Sequence, residues 1–165
     1  MWRVRSLVFA LLVLVVSTSS AAAAPSKPVF LALLSGNNEV PPVATSAQGV
    51  AVLQISPDES QISYKVIVTQ IDNATQAHIH CGPPGQNGPV VAFLFGPNPN
   101  GVSVNGLLAA GVLTEGSVIP RPDSSVCPGG VANLSDLIEK IRSGGAYVNV
   151  HTTAHPGGEI RGQLF

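Results

Sequence analysis

Apolar and polar residues alternate with a period of two along most of the chain, and turn residues interrupt the pattern repeatedly. In the segment from Gln61 to Ile71 the apolar side chains share one face and the polar side chains the other, which is typical of a strand with one buried face. Many short strands of this kind predict an all-β fold, an antiparallel β-sandwich or barrel. The predicted strands cover residues 29–34, 49–56, 61–71, 77–80, 89–95, 102–114, 146–152 and 159–165.

One segment has the period of a helix. Leucine and isoleucine residues between positions 134 and 141 recur three and four residues apart, which places them on one stripe. We predict one short helix, at about residues 131–142, with Asn133 or Ser135 capping its start. The pair Gly144-Gly145 should end it.

The N-terminus has the organisation of a targeting segment. Two arginines precede an apolar run from Leu7 to Val16, and small residues follow as far as Ala24. This order is typical of a secretory signal peptide. A membrane anchor is the alternative, but this run is about half of the roughly 20 apolar residues that a bilayer requires. We expect residues 1–23 to be a signal peptide and residues 24–165 to be one secreted domain, exported to the periplasmic or cell-wall space if the source is bacterial, with no membrane anchor after cleavage.

Charge and cysteine content limit the possible partners and suggest the compartment. Only 10% of the residues are charged and the formal net charge is −1, whereas nucleic-acid-binding proteins present a basic patch. We therefore expect no nucleic-acid partner. Cys81 and Cys127 are the only cysteines, and an exported domain with an even number usually pairs them. We expect a Cys81–Cys127 disulfide, with two free thiols or a metal-bound Cys81 thiolate as the alternatives.

The four histidines form two clusters, His78 with His80 and His151 with His155. Side chains two positions apart on a strand point to the same face, so an inward-facing Ile79 sends both histidines of the first cluster to the outer face. The same alternation sends His151 outward. Imidazole is a suitable ligand for copper and zinc, and the clusters therefore predict a metal site. The alternative is that the histidines are solvated or bond to a neighbouring loop.

Other polar residues accompany the histidines on this predicted outer face. Asn149, Glu159 and Arg161 share it, and Glu39 lies in a polar stretch that can reach it. We expect them to surround the metal or to contact a ligand, although both glutamates could equally hold loops through backbone N–H groups. The serines, the carboxylates and the glycine-rich segment lack the context or spacing of a hydrolase, a glycosidase and a phosphate-binding loop. No catalytic residue is predicted.

Three sequence blocks carry a family resemblance: LLSGNNEVPPV at 33–43, HIHCG at 78–82 with GPVV at 88–91, and AYVNVHT at 146–152 with HPGGEIRGQL at 155–164. In this order they resemble the CHRD domain, which is named after the extracellular antagonist chordin and also occurs alone in secreted proteins. The resemblance covers about residues 29–165. It implies a β-sandwich or barrel of immunoglobulin-like kind, distantly similar to copper–zinc superoxide dismutase, and no established activity.

The dismutase likeness implies particular roles for four residues. His78 and His80 resemble a pair of copper ligands on one strand, and His151 resembles a further copper ligand late in the chain. Arg161, which follows a glycine pair, resembles the arginine that guides superoxide. The long zinc loop and a bridging histidine are missing, so the likeness implies at most a mononuclear copper site, either redox-active or only binding.

Two functional hypotheses follow. The first is a secreted, non-catalytic binding or structural module whose partner is an extracellular protein or a glycan. The second is a mononuclear copper- or zinc-binding protein with His78, His80 and His151 as first ligands, His155 as fourth ligand and Arg161 beside them. Its affinity should fall as the pH drops through about 6.5, because imidazole binds metal only when neutral. Growth-factor antagonism is not expected, because the chain has one domain and no cysteine-rich modules.

Overall fold

The computed structural model describes residues 28–165, and the predicted signal peptide lies outside them. The described chain is built mainly from antiparallel strands, with one α-helix and two short 3-10 turns, which confirms the predicted all-β class with one short helix. The elements are β1 (Val29–Ser35), β2 (Gln48–Ile55), β3 (Ile62–Cys81), β4 (Val90–Phe95), β5 (Val102–Leu113), α1 (Leu134–Arg142), β6 (Ala146–Thr152) and β7 (Ile160–Gln163), with the 3-10 turns at Gly36–Asn38 and Glu115–Ser117.

Five strands close into a barrel in the order β1-β2-β3-β6-β7, because β7 pairs back onto β1. The strands β4 and β5 pair with β3 outside this ring. The first part of β3 lies between β2 and β5, and its last part lies between β6 and β4. The end of β3, which carries two of the histidines, is thus a direct neighbour of β6, which carries a third.

The long strand β3 was predicted as two strands, at 61–71 and 77–80, but it is continuous over 20 residues. Its pairing with β5 shifts register between Val68 and Ile71 and again between Ile71 and Ala74. Gln70 and Asn73 take left-handed backbone angles there, with φ of 55° and 51°. These bulges break the alternation of apolar residues without ending the strand, and so the sequence pattern resembled a strand end.

Helix α1 starts later than predicted. Val131, the first residue of the predicted range, instead pairs with Arg121 in an isolated β-bridge. Asn133 caps the helix, because its side-chain oxygen accepts the Asp136 N–H at 2.9 Å. The predicted stripe of leucine and isoleucine is buried, and the helix packs through it onto the core.

A disulfide joins Cys81 to Cys127, with a Cα–Cα distance of 5.5 Å, which confirms the predicted pairing. It connects the end of β3 to the segment that precedes α1. Within residues 28–165, no helix is both long and apolar enough to cross a membrane.

Candidate metal centre

Three of the four histidines come together on one face of the barrel sheet. His78 and His80 lie near the end of β3, and His151 lies on the neighbouring strand β6. One ring nitrogen from each of the three lies within 4.8 Å of the others. The histidines on the two strands are far apart in sequence, and the pairing of β3 with β6 brings them together.

His155, predicted as the fourth ligand, is outside this group in the described chain. It is half-buried in the loop between β6 and β7, where its backbone shapes a turn. Its N–H donates to Thr152 Oγ1 at 3.1 Å, and its carbonyl accepts the Gly158 N–H at 3.0 Å.

Backbone carbonyls fix the protonation of two of the three rings. His80 Nδ1 lies 2.8 Å from the Gly88 carbonyl, and His151 Nδ1 lies 2.9 Å from the Pro156 carbonyl. A carbonyl only accepts, so each Nδ1 must carry the proton and each Nε2 must carry a lone pair. Metal-binding histidines typically donate their other N–H to such a carbonyl, which orients the ring. His80 and His151 are therefore held in the tautomer that binds a metal through Nε2.

The third ring, His78, is placed to share an ion with them. Its Nδ1 is 3.0 Å from His151 Nε2. Two nitrogens that bind one ion at 2.0–2.1 Å lie about 3.0–3.4 Å apart, so this separation fits a shared metal. Among residues 28–165, His80 Nε2 is buried and has no hydrogen-bond partner; His78 Nε2 has none either, and binding of an ion through Nδ1 would leave it so. An unsatisfied buried polar atom costs about 1–3 kcal/mol, and such atoms are rare unless they have a functional use.

The predicted face is correct but the predicted exposure is wrong. Ile79 is fully buried on the side opposite the histidines, as expected, yet His78, His80 and His151 are only 3%, 8% and 7% exposed. Aromatic rings cover two of them. The Phe93 ring contacts the His78 ring edge-on, with 4.4 Å between the ring centres, and the Tyr147 ring stacks on the His80 ring, with 4.7 Å between the centres.

The loop at residues 82–89, which joins β3 to β4, covers the same face. Arg161 holds this loop by donating to the Gln86 carbonyl at 2.6 Å and to Asn87 Oδ1 at 3.0 Å. Its guanidinium also lies 3.4 Å above the centre of the Tyr147 ring, whose stacking on His80 completes a three-layer arrangement. The alternation of the strands cannot reveal this cover, because the covering residues come from other parts of the chain.

Burial lowers the histidine pKa values. It is the main cause that lowers the pKa of His78 to about 3, with the charges of His151 and His80 adding to it. Burial likewise lowers the pKa of His80 to about 4 and lowers the pKa of His151. All three rings are therefore neutral at pH 7, which is the form that binds a metal.

The two predicted glutamates differ in their surroundings. Glu159 accepts hydrogen bonds from Thr45 Oγ1 and Thr152 Oγ1, both at 2.7 Å, so it connects β6 to the loop that follows β1. Glu39 is buried, and in the described part of the chain its Oε1 has no hydrogen-bond partner. Burial raises the pKa of Glu39 to about 7, against the lowering effect of Arg161.

Gly158 shows how closely Glu39 approaches the histidine cluster. A Cβ at Gly158 would lie 2.5 Å from Glu39 Oε1 and 2.9 Å from Asn149 Nδ2, so only glycine fits there. Its φ of 126° also favours glycine. The Glu39 carboxyl therefore lies on the amide-nitrogen side of Asn149, and the Asn149 oxygen lies 3.0 Å from His151 Nε2.

The two carbonyls that orient the rings, at Gly88 and Pro156, could not be predicted from the sequence. A carbonyl is common to all residues, so the sequence contains no signal for its use as an acceptor. The turn-forming residues around both positions, NGP at 87–89 and HPGG at 155–158, give the only indication that the backbone turns there.

Comparison with known proteins gives one result that matters for this site. No curated protein and no solved structure matches the chain. The sequence model of the CHRD domain, however, matches residues 30–164, a range that contains all of the histidine cluster and both half-cystines. The chain therefore belongs to the CHRD-domain family.

Proposed function

We propose that this protein is a secreted, non-catalytic CHRD-domain module that binds one zinc or copper ion through His78, His80 and His151. The observation that carries the proposal is the pair of imidazoles whose Nδ1–H groups are held by carbonyls, leaving buried lone pairs on His80 Nε2 and His151 Nε2. A cation bound by these nitrogens would compensate for the cost of burying them.

The donor set favours zinc or copper. Imidazole nitrogen binds both of these metals well. A thiolate ligand is excluded in the described chain, because Cys81 and Cys127 are joined to each other. The alternative role of Cys81 as a metal ligand is thereby removed.

A binding role is favoured over a catalytic one because the centre is covered. Phe93 and Tyr147 lie against the rings of His78 and His80, and none of the three histidines is more than 8% exposed. A substrate would have to displace these aromatic rings or the loop at residues 82–89 before it reached the ion. A small cation needs a much smaller opening.

Secretion is supported by the family and by the disulfide. CHRD domains are modules of the extracellular type, and disulfides persist mainly in oxidising compartments. We expect the mature chain to begin at Ala24, after the small residues Ala21-Ala22-Ala23. Mass spectrometry of the secreted protein tests this, and a chain that keeps residues 1–16 would contradict it.

The metal proposal is tested by titrating the mature protein with zinc and with copper(II) in competition with a chromophoric chelator. Wild type should bind one ion, and His80→Ala and His151→Ala should each bind at least about tenfold more weakly, because each loses a ligand. His155→Ala is the matched control, and it should bind like the wild type. No binding to wild type at micromolar concentration, or equal weakening by all three variants, would contradict the proposal.

A further inference from the structure

Asn149 lies among the three histidines and is as deeply buried as they are. It is two residues before His151 on the same face of β6, and it pairs in register with His78 on β3. Its side chain is 3% exposed, and its Oδ1 is 3.0 Å from His151 Nε2.

The amide lies on the face that carries the other two rings. Asn149 pairs with His78 across β3 and β6, and the His80 ring is next to the His78 ring on the same face of β3. One amide group therefore lies on the face that all three imidazoles share.

The orientation of the amide follows from its contact with His151. The oxygen, Asn149 Oδ1, is the atom 3.0 Å from His151 Nε2. The nitrogen, Nδ2, lies on the side of Gly158. The oxygen of Asn149 is therefore the atom that faces the histidines.

This orientation places two acceptors against each other. His151 Nδ1–H donates to Pro156, so His151 Nε2 has only a lone pair, and Asn149 Oδ1 has only lone pairs. Two such atoms 3.0 Å apart repel each other unless a positive charge lies between them. A proton on His78 Nδ1 can make a linear hydrogen bond to only one of them, whereas a metal ion contacts both at once.

We propose that Asn149 Oδ1 is the fourth ligand of the ion, which completes a site of three nitrogens and one oxygen. This inference rests on the proposed metal-binding function and adds the residue that completes it. Asn149 takes the role that the sequence analysis gave to His155. An oxygen donor suits a divalent ion, so the site should bind zinc or copper(II) in preference to copper(I).

The test uses two substitutions that keep the shape of the asparagine side chain. Asn149→Leu removes the oxygen, and Asn149→Asp keeps an oxygen and adds negative charge. Each full mature variant is titrated with zinc against a chromophoric chelator and is also loaded with cobalt(II). We expect Asn149→Leu to bind zinc about 10–100-fold more weakly and Asn149→Asp to bind at least as tightly as wild type. The cobalt(II) d–d absorption spectrum should change in both variants, because the ligand field changes.

The opposite behaviour of the two variants separates a ligand from a hydrogen-bond donor. If the amide only donated to the bare imidazole nitrogens, it would compete with zinc for their lone pairs, and Asn149→Leu would bind zinc at least as tightly as wild type. That result, or zinc affinity and cobalt spectra unchanged in both variants, would overturn the fourth ligand and leave the three-histidine site intact. If wild type itself binds no zinc, the proposed function fails. If Asn149→Leu melts below the assay temperature, Asn149→Asp decides, and a tenfold loss of affinity there overturns the inference.

Discussion

The two ends of β3 have the same kind of sequence pattern but different surroundings. Between Ile62 and Thr69 the strand has one buried and one open face, so that Val66 is fully buried and its neighbour Ile67 is 41% exposed. Between Ala77 and Cys81 five consecutive residues are buried. At this second end the face that alternation assigns to solvent is covered, and its polar side chains depend on partners from other segments.

The difference shows what a buried polar face requires. The open end needs only apolar contacts on one side. The covered end needs the carbonyls of Gly88 and Pro156 for its histidines, and it needs Arg161 to hold the loop that supplies one of them. On His80 and His151, the ring nitrogens that do not bond to these carbonyls are the ones that we assign to the metal.

The largest expected effect is the loss of zinc binding at low pH. The pH at which binding is lost depends on how deeply the histidines are buried. The pKa values of His78 and His80 are lowered to about 3 and about 4, so these rings stay neutral until the pH approaches those values. Zinc binding should therefore persist below pH 6.5 and should be lost by about pH 3 to 4, where His78 and His80 become protonated. Exposed rings, which the sequence predicts, would instead lose zinc as the pH falls through about 6.5.

A peptide of residues 76–80, which contains His78 and His80 but not Cys81, is the control for this pH series. Its imidazoles are exposed to water, so its metal binding should weaken as the pH falls through about 6.5. Competition titrations of protein and peptide at each pH give the comparison. Half-loss of binding at the same pH in both would show that the covered end of β3 does not protect its histidines.

The next largest effect is on stability, from removal of the disulfide at the covered end. Replacing Cys81 and Cys127 together by serine should lower the free energy of unfolding by about 2–5 kcal/mol. Denaturant unfolding of the variant and of wild type measures it. The denatured, unreduced wild type should show no free thiol, and two free thiols would contradict the bond itself.

A smaller effect separates a buried arginine from an exposed one. Arg161→Lys keeps the charge but loses the planar group that holds the loop at 82–89. It should lower the free energy of unfolding by about 1–3 kcal/mol. Arg142→Lys is the matched control, because Arg142 pairs with Glu59 at the surface, where an ion pair contributes about 0–1 kcal/mol. Thermal or denaturant unfolding compares the two. Equal costs would mean that Arg161 does not support the covered end.

The smallest effect compares the two ends of β3 by removing a single methyl group. Ile79→Val should lower the unfolding free energy by about 0.5–1.5 kcal/mol, because Ile79 is fully buried. Ile67→Val should change it by no more than about 0.5 kcal/mol, because Ile67 is exposed at the open end. A larger cost at Ile67 would indicate that the open face is covered in solution.

Much of the barrel could be predicted from the sequence, because alternation of apolar residues directly reflects which side of a strand is buried. It predicted the face on which Ile79 lies and the strands around it, and the three- and four-residue spacing predicted the buried stripe of α1. It did not give the continuity of β3, because the left-handed Gln70 and Asn73 break the pattern inside one strand. The start of α1 was predicted too early because Val131 extends the apolar pattern, although it is buried in the core from a β-bridge with Arg121 that precedes the helix.

The candidate site was predicted in part for a similar reason. The spacing of His78 and His80 shows that they share a face, and the family resemblance suggested that His151 joins them. The cover over that face comes from residues remote in sequence, and carbonyl acceptors leave no side-chain signal. His155 could not be separated from His151 by sequence, because only the course of the loop after β6 places it away from the cluster.

The most direct test of the metal centre is zinc-edge anomalous diffraction from crystals of the zinc-loaded mature protein. We expect one strong peak in contact with His80 Nε2, His151 Nε2 and a ring nitrogen of His78, at the zinc–nitrogen distance of about 2.0–2.1 Å. A fully loaded crystal with no peak among these three rings, or with zinc bound instead at His155 on the loop, would contradict the assignment.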